Sequence, residues 1–441
     1  MIHLDTRTQT SGDATQHVIE EPAFSVSLFE QMLSEENMRK AWKHVRANKG
    51  APGIDKLTIA EFPAWGKANW ARVKAELRAG SYRPQPVRRC EIEKPDGGIR
   101  QLGIPTVPDR IIQQAIAQVL TPIFDPVFSA HSYGYRQERS AADAVKQIQS
   151  DIKQGRRIVV DLDLSKFFDR VNHDLLMSQL GRKVTDKCLL ALIGRYLRAG
   201  VQVDGVVGPS RMGVPQGGPL SPLLSNIMLD PLDKELEQRG HKFARYADDI
   251  TLVVKSWRAG ERVLKSVGQY LENRLKLQVN NDKSRVVKSA ESKFLGFCFP
   301  QGRIQWHAKS LKKFRGRVRE LTNRNWGVSM KYRLAQLNMF LRGWINYFGI
   351  ASGYQHCIEL DGWIRRRIRM CYWTQWRNSR TRVGNLIKLG VFKPMAVTCG
   401  SSSKGPWRSS KTQGIQQALS KAYLKAQGLY ELRNGWVALR Y

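Results

Sequence analysis

Three acidic residues have the types and spacing for metal-assisted chemistry. Asp163 closes the apolar run Arg157–Asp163 (RIVVDLD), and Asp248 and Asp249 follow about 85 residues later between two further apolar runs, in FARYADDITLVV. Carboxylates offer the hard oxygen ligands that magnesium prefers, and magnesium binds through few carboxylates plus phosphate oxygens. Two such ions serve nucleotide transfer to a hydroxyl: one activates the attacking oxygen, the other clamps the triphosphate and stabilises the leaving group. If these runs are strands and neighbours in one sheet, three carboxylates converge. Taken alone each feature is ordinary, since Asp-Asp in a hairpin turn is usually a solvated turn.

Such a set needs strands and turns placed by a larger frame. Ser34 reads as a helix N-cap with Glu35 and Glu36 in the first turn, and Met38, Ala41, Trp42 and Val45 mark the apolar face of a helix stopping near Gly50. Val87–Ile104 reads as a hairpin about Pro95-Asp96-Gly97-Gly98, with Lys94 and Arg100 on either side of its turn. Asp109–Leu120 predicts a helix closed before Pro122. Arg157–Asp163 is a short buried-type strand and Phe243–Val254 a second hairpin. Between them, the Gly/Pro loop Gly213–Gly218 runs into a helix that Ser221 can cap, with Pro222 at the first helical position. Strands and helices interleave over the front 300 residues. Beyond about residue 305 the pattern turns helical, as in Leu334, Leu337, Phe340, Leu341, Trp344 and Ile345. Gly400–Pro406 is a loop, followed by a short helix near Gly414–Leu424, and the polar residues before about 22 are expected to be loose.

Charge narrows the partners. The 441 residues carry 72 Lys/Arg against 38 Asp/Glu, a net charge of +34. That excess repels itself unless a polyanion neutralises it, so nucleic acid is the natural partner. Gln301–Tyr441 holds 27 Lys/Arg and 4 Asp/Glu, and eight of the twelve Trp lie after residue 300. An almost acid-free, Arg- and Trp-rich third suits a surface that tracks phosphates. Most of those Trp also read as core. The six Cys include no CxxC pair, so they read as reduced buried thiols of a cytoplasmic protein and not as a zinc site. The N-terminus is polar, unlike a secretory signal, and no apolar run reaches membrane-spanning length.

The motifs in order carry a family resemblance. Tyr246-Ala247-Asp248-Asp249 resembles the Tyr-x-Asp-Asp signature of reverse transcriptases. Asp161-Leu-Asp163-Leu-Ser-Lys-Phe-Phe168-Asp169 resembles their first catalytic motif, in which an Asp precedes an aromatic by five positions. That spacing selects Asp163 and Phe168 over Asp161 and Asp169. Gly213–Ser221 resembles the loop lying against the incoming base pair, Leu277–Arg285 the next motif, and Phe294–Phe297 the primer-grip hairpin. Arg46–Asp55, Ser132–Arg136 with Arg139-Ser140, Leu341–Phe348 and Gly405-Pro-Trp407-Arg resemble blocks of bacterial group II intron enzymes. The last 80 residues have two Cys and no His, so the resemblance is to the form without the C-terminal Cys/His nuclease.

What the resemblance implies is an α+β right-hand polymerase: fingers and a palm with an antiparallel sheet, an α-helical thumb and a small basic C-terminal domain. The expected boundaries are 1–50 for an N-terminal extension, 51–300 for fingers and palm, 301–380 for the thumb or maturase region, and 381–441 for a nucleic-acid-binding segment. Asp163, Asp248 and Asp249 would hold two Mg²⁺ ions, which Mn²⁺ can replace. Lys94, Arg100, Phe168, Gln216 and Lys283 would bind the nucleotide. Lys94 and Arg100 would hold the triphosphate, Phe168 would exclude a ribose 2′-hydroxyl, Gln216 would touch the incoming nucleotide, and Lys283 would protonate pyrophosphate. Arg365, Arg366, Arg367 and Arg369 are candidate nucleic-acid contacts. The implied partners are an RNA template, a DNA or RNA primer, dNTPs and an intron RNA, with no membrane. Two other readings stand beside this one. One is a free-standing, host-adopted relative in DNA repair or defence; the other is an RNA-binding maturase with an idle polymerase. Oligomeric state is left open.

Overall fold

The computed structural model describes residues 27–93, 98–203, 206–208 and 212–440. The expected loose N-terminus, Lys94 and the Pro95-Asp96-Gly97 turn lie outside these residues.

Helices α1 (Leu28–Leu33), α2 (Glu35–Ala47) and α3 (Phe62–Arg78) come first. The Ser34 hydroxyl accepts from the Asn37 amide to start α2, and Met38, Ala41 and Val45 are buried. Strands β1 (Val87–Glu93) and β2 (Ile99–Ile104) form the expected antiparallel hairpin. Helix α4 (Val107–Phe124) runs through Pro122 instead of stopping before it. Leu120 and Phe124, one turn apart and both buried, hold that last turn in the core, which offsets the hydrogen bond the proline cannot make.

Next come α5 (Ala141–Lys153), β3 (Ile158–Asp163), α6 (Phe167–Arg170), α7 (His173–Gly181), α8 (Lys187–Arg198), β4 (Val201–Val203) and β5 (Val206–Gly208). They lead to α9 (Ser221–Gln238), β6 (Lys242–Tyr246), β7 (Asp249–Val254), α10 (Trp257–Arg274) and β8 (Arg285–Lys288). Ser221 does not cap α9. Leu220 is the N-cap residue, Ser221 is the first helical residue, and its hydroxyl donates to the Pro215 carbonyl at 2.6 Å because the preceding loop folds back over it.

Two four-stranded sheets result. The fingers sheet has the order β2-β1-β4-β5, with β1 and β4 parallel. The palm sheet has the order β6-β7-β3-β8 and is antiparallel throughout. Side chains alternate across the palm strands. On one face Val160, Leu162, Ile250, Leu252 and Phe243 join the core formed with α1–α4 and α7–α10. On the other, Val159, Val253 and Ala244 join a second core with α5 and the C-terminal helices.

That second core continues through β9 (Phe297–Cys298), β10 (Gln305–Trp306), α11 (Ala308–Leu321), α12 (Met330–Phe348) and α13 (Tyr354–Gln375). It goes on through α14 (Ser379–Lys388), α15 (Lys393–Gly400), α17 (Gln413–Ala418), α18 (Lys421–Ala426) and α19 (Leu432–Ala438), while α16 (Pro406–Ser409) lies against α13. The single helix expected near Gly414–Leu424 is two, α17 and α18. Leu419 leaves helical geometry, its carbonyl accepts from Arg369 Nε at 2.9 Å, and Ser420 caps α18. All six cysteines are free; Cys298, Cys357 and Cys371 are buried, whereas Cys188 is exposed on α8, contrary to the expectation of buried thiols throughout. No helix among the described residues is long and apolar enough to cross a membrane.

Candidate active site

The palm strands place the carboxylates by register. Asp163 ends β3 and is the direct cross-strand partner of Asp249, the first residue of β7; Tyr246 on β6 is the partner of Asp249 on its other side. Directly paired residues share a face. The face that is apolar at Val159 and Val253 therefore becomes acidic at its open end, where Asp161, Asp163 and Asp249 project. Asp248 sits beside them in the two-residue turn, after Ala247 at φ 60.

Buried polar contacts fix that turn. Arg245, wholly buried, forms an ion pair with Asp233 of α9 and donates to the Ala247 carbonyl at 2.9 Å, to Asn226 Oδ1 at 2.9 Å and to Ser132 Oγ at 2.7 Å. The segment carrying Ser132 lies along β6, with Tyr133 N donating to the Arg245 carbonyl at 2.9 Å. Gly134 follows beneath the turn, and a Cβ there would lie 2.3 Å from the Ala247 nitrogen. Neither Arg245 nor Asp233 was singled out from sequence. The available signal was a lone cation within the apolar strand Phe243-Ala-Arg-Tyr.

The Leu277–Arg285 segment holds Asp163. Asn280 Nδ2 donates to Asp163 Oδ2 at 3.0 Å, the Asn280 amide donates to the Asp163 carbonyl, and the Asp163 amide donates to Ser284 Oγ at 3.0 Å. Lys283 belongs to this same turn, its amide donating to the Asn280 carbonyl. Asp161, on the same face, has a different partner: Ser292 Oγ donates to its Oδ1 at 3.2 Å.

These carboxylates repel one another. Asp249 opens into a cleft yet has protein on most sides. Burial first, then the charges of Asp161, Asp248 and Asp163, push it up to about 7, against the pull of Lys293. Asp248 is also raised, chiefly by burial and further by Asp163, while its own amide, Arg100 and Arg245 oppose. A carboxylate set that resists full ionisation by itself is relieved by cations, and its donors are the hard oxygens a divalent ion of the magnesium type takes. Among the described residues no three His, Cys, Asp or Glu side chains already form a ready-made metal cage.

A cleft of about 490 Å³ gathers Arg100, Tyr135, Phe168 and Gln216, together with Leu102 and Gly217. Arg100 Nε donates to Gln216 Oε1 at 3.1 Å. The loop is stitched to β2 by Gly103 N donating to the Gln216 carbonyl at 2.7 Å. Gly217, at φ +125, leaves room for that approach, since a Cβ there would lie 2.6 Å from the Gly103 oxygen. The same loop is tied to the aromatic turn, with Val214 N donating to the Phe168 carbonyl at 2.7 Å and His173 Nε2 donating to the Gly213 carbonyl at 2.7 Å. Three of the five expected nucleotide-binding residues thus line one cleft; Lys283 is not among its lining residues. Tyr135 was not singled out individually. It lines this cleft, and burial first, then the Asp248 charge, raises its phenol.

A second cleft, of about 530 Å³, opens on Asp249 from the thumb side. Lys293, Leu295, Lys313, Arg317, Trp344 and Tyr347 are among its walls. The Phe294–Phe297 hairpin projects into it through Leu295 and Gly296, and Tyr347 donates to the Leu295 carbonyl at 3.0 Å. The C-terminal arginines are half-buried and engaged within the protein. Arg365 pairs with Glu431, Arg366 stacks on Trp407 at 3.6 Å, Arg367 donates to Thr322, and Arg369 donates to the Leu419 carbonyl.

Comparison with known proteins identifies the family. Residues 92–299 match the family described as reverse transcriptase (RNA-dependent DNA polymerase), and residues 311–390 match the group II intron, maturase-specific domain. Protein YkfC of Escherichia coli (strain K12) is 33% identical over 307 residues, which cover 60% of this chain and 81% of YkfC. The group II intron-encoded protein LtrA of Lactococcus lactis subsp. cremoris is 33% identical over 269 residues, 60% of this chain but only 43% of LtrA. Among solved structures, a chain of a partial Cas6-RT-Cas1–Cas2 complex is 30% identical over 57% of this chain and 43% of that one, at a TM-score of 0.37.

Proposed function

This chain belongs to the group II intron reverse transcriptases, and from that premise we propose that it extends a primer with dNTPs on an RNA template. The observation that carries the reading is the direct pairing of Asp163 with Asp249, with Asp248 in the adjoining turn. Asp163, Asp248 and Asp249 would hold two Mg²⁺ ions, or Mn²⁺ in their place. When bound, the ions supply activation of the primer 3′-hydroxyl and neutralisation of charge on the leaving pyrophosphate.

The protein's own part is positioning. Arg100 meets the triphosphate with a planar, charged donor set, and its hydrogen bond to Gln216 aims it across the cleft. Phe168 closes the sugar side. Its backbone is bonded to the loop that carries Gln216, so the sugar and base contacts are set together. Asn280 and Ser284 orient Asp163, and Arg245 fixes the turn bearing Asp248. Lys283 remains the candidate proton donor to pyrophosphate. The aromatic and cationic cleft over Asp249 would receive the primer end of the duplex. With a maturase-specific domain at residues 311–390, the protein would also bind an intron RNA during splicing. Six free thiols suit the reducing cytoplasm. Primer extension on an RNA template with Mg²⁺, comparing the parent with Asp248→Asn, tests the proposal: extension must occur in the parent and vanish in the variant.

A further inference from the structure

Helix α11 is basic on two faces. Ser310, Lys313, Phe314 and Arg317 line the cleft that opens on Asp249. Leu311, Lys312, Arg315 and Arg319 line a separate hollow. At 100° per residue these two sets point about 165° apart. A primer–template duplex seated over Asp249 therefore neutralises the first set and leaves the second uncovered.

The second face runs through Arg319 into a cleft of about 540 Å³, walled by Asn323, Arg324, Arg367, Met370 and Trp407 as well. Guanidinium and indole groups alternate in its wall and behind it, where Trp363 and Arg366 lie outside the lining. Arg319 and Arg367 each lie 5.9 Å from the Trp363 ring, Arg367 lies 5.9 Å from Trp407, and Arg366 stacks on Trp407 at 3.6 Å. Neutral groups hold two of these cations in place. Arg367 donates to Thr322 Oγ1 at 2.6 Å and to the Arg319 and Thr322 carbonyls, and Arg366 donates to the Trp407 carbonyl. Glu320, the acid in the cleft wall, pairs with Arg317 at 2.7 Å. The cleft thus presents the pre-positioned Arg367 together with Arg319 and Arg324 beside an apolar wall.

A cavity of this size falls in the range of small-ligand sites, about 300–1,000 Å³. Phosphate suits the guanidiniums, and a flat base suits Met370 and Trp407. Proteins read RNA chiefly at unpaired nucleotides, which splay their bases onto aromatic side chains or guanidinium planes. The regular backbone of a duplex would leave the concavity unfilled. We infer that this cleft holds an unpaired nucleotide of a second RNA segment, with its phosphate on Arg319 and Arg324 and its base against Trp407 and Met370. The inference rests on the nucleic-acid polymerase reading and adds a binding surface separate from the primer–template path.

The test uses the full chain saturated with a primer–template duplex, titrated with a short labelled oligouridylate and followed by fluorescence anisotropy. Oligouridylate should bind while the duplex stays bound. Arg319→Ala/Arg324→Ala should weaken that binding roughly tenfold or more, the effect of removing two charge-assisted hydrogen bonds to phosphate. Both side chains are exposed, and an unshifted thermal transition checks the fold. Primer extension by the double variant should equal the parent's, and oligothymidylate of the same length should bind more weakly. The inference is overturned if oligouridylate displaces the duplex or fails to bind the loaded protein, if the folded double variant binds it as the parent does, or if oligothymidylate binds equally well. Failure of the parent to extend the primer strikes the polymerase reading instead, which the anisotropy titration does not measure.

Discussion

Asp163 and Asp249 are direct partners at the open end of the β3–β7 ladder, with side chains on the same sheet face. Burial first, and then the charges of Asp161, Asp248 and Asp163, would make cation binding at Asp249 proton-sensitive. Asp249, pushed up to about 7, is largely protonated below that pH, and a proton competes there with a cation. Divalent-ion affinity should therefore rise with pH, by up to about tenfold per unit below pH 7, and level off above it. Calorimetric titration with Mg²⁺ or Mn²⁺ across this range checks the slope, and Asp249→Asn should flatten it. A flat profile in the parent would contradict the reading.

Phe168 shares its cleft with Arg100 and Gln216, on the side reached by the chain leaving Asp163. Phe168→Ala, or the milder Phe168→Val, should admit ribonucleotides that the parent rejects. A hydroxyl buried without a partner costs about 1–3 kcal/mol. The ratio of ribonucleotide to deoxyribonucleotide incorporation efficiency should accordingly rise by roughly tenfold or more. The ratio is the proper readout because the ring is 6% exposed, and removing it also costs about 3–5 kcal/mol of stability. An unchanged ratio would assign Phe168 to the core and turn attention to Phe167.

Arg245 and Asp233 are both fully buried, so removing one leaves the other charged and unpaired. Arg245→Met should cost about 3–5 kcal/mol in urea denaturation. The pair Asp233→Leu/Arg245→Met should recover much of that stability yet keep extension depressed, because nothing then donates to the Ala247 carbonyl or Ser132 Oγ in place of the guanidinium. Full activity in the stable double variant would show that the turn needs no such anchor.

Lys313 and Arg317 face Asp249 across the thumb-side cleft. Replacing both by Ala should lower the slope of log affinity against log salt for a primer–template duplex. The expected drop is about 0.7–0.9 for each phosphate no longer neutralised. Point changes test this better than cutting the chain near Pro300. Val145, Ile148, Phe297 and Phe299 share one core with the C-terminal helices, so truncation would expose that core. An unchanged slope would remove the cleft from the duplex path.

Local patterns made the frame legible. Alternation marked the strands, Ser34 marked a helix start, and five motifs in order pointed to the polymerase fold. Sequence did not show which residues face each other: the Asp163–Asp249 register depends on pairing between strands far apart in the chain. Side chains with competing partners were misread for the same reason. Ser221 looks like a cap, but the Pro215 carbonyl takes its hydroxyl. Pro122 looks like a helix stop, but buried Leu120 and Phe124 carry the helix past it. Arg245 and Tyr135 gave weak signals, because a buried ion pair and a cleft wall exist only after folding.

The most direct test of the central claim is primer extension by Asp248→Asn, measured beside duplex binding by the same protein. Asp248 occupies the turn next to the Asp163–Asp249 pair, and its replacement removes a proposed metal-ligating carboxylate without touching a core side chain. Extension on an RNA template with Mg²⁺ should be abolished, while affinity for the primer–template duplex stays within about twofold, the shift left by exposed or near-surface changes of under 0.5 kcal/mol. Extension at the parent's rate would contradict the assignment of these three aspartates as the metal-binding centre.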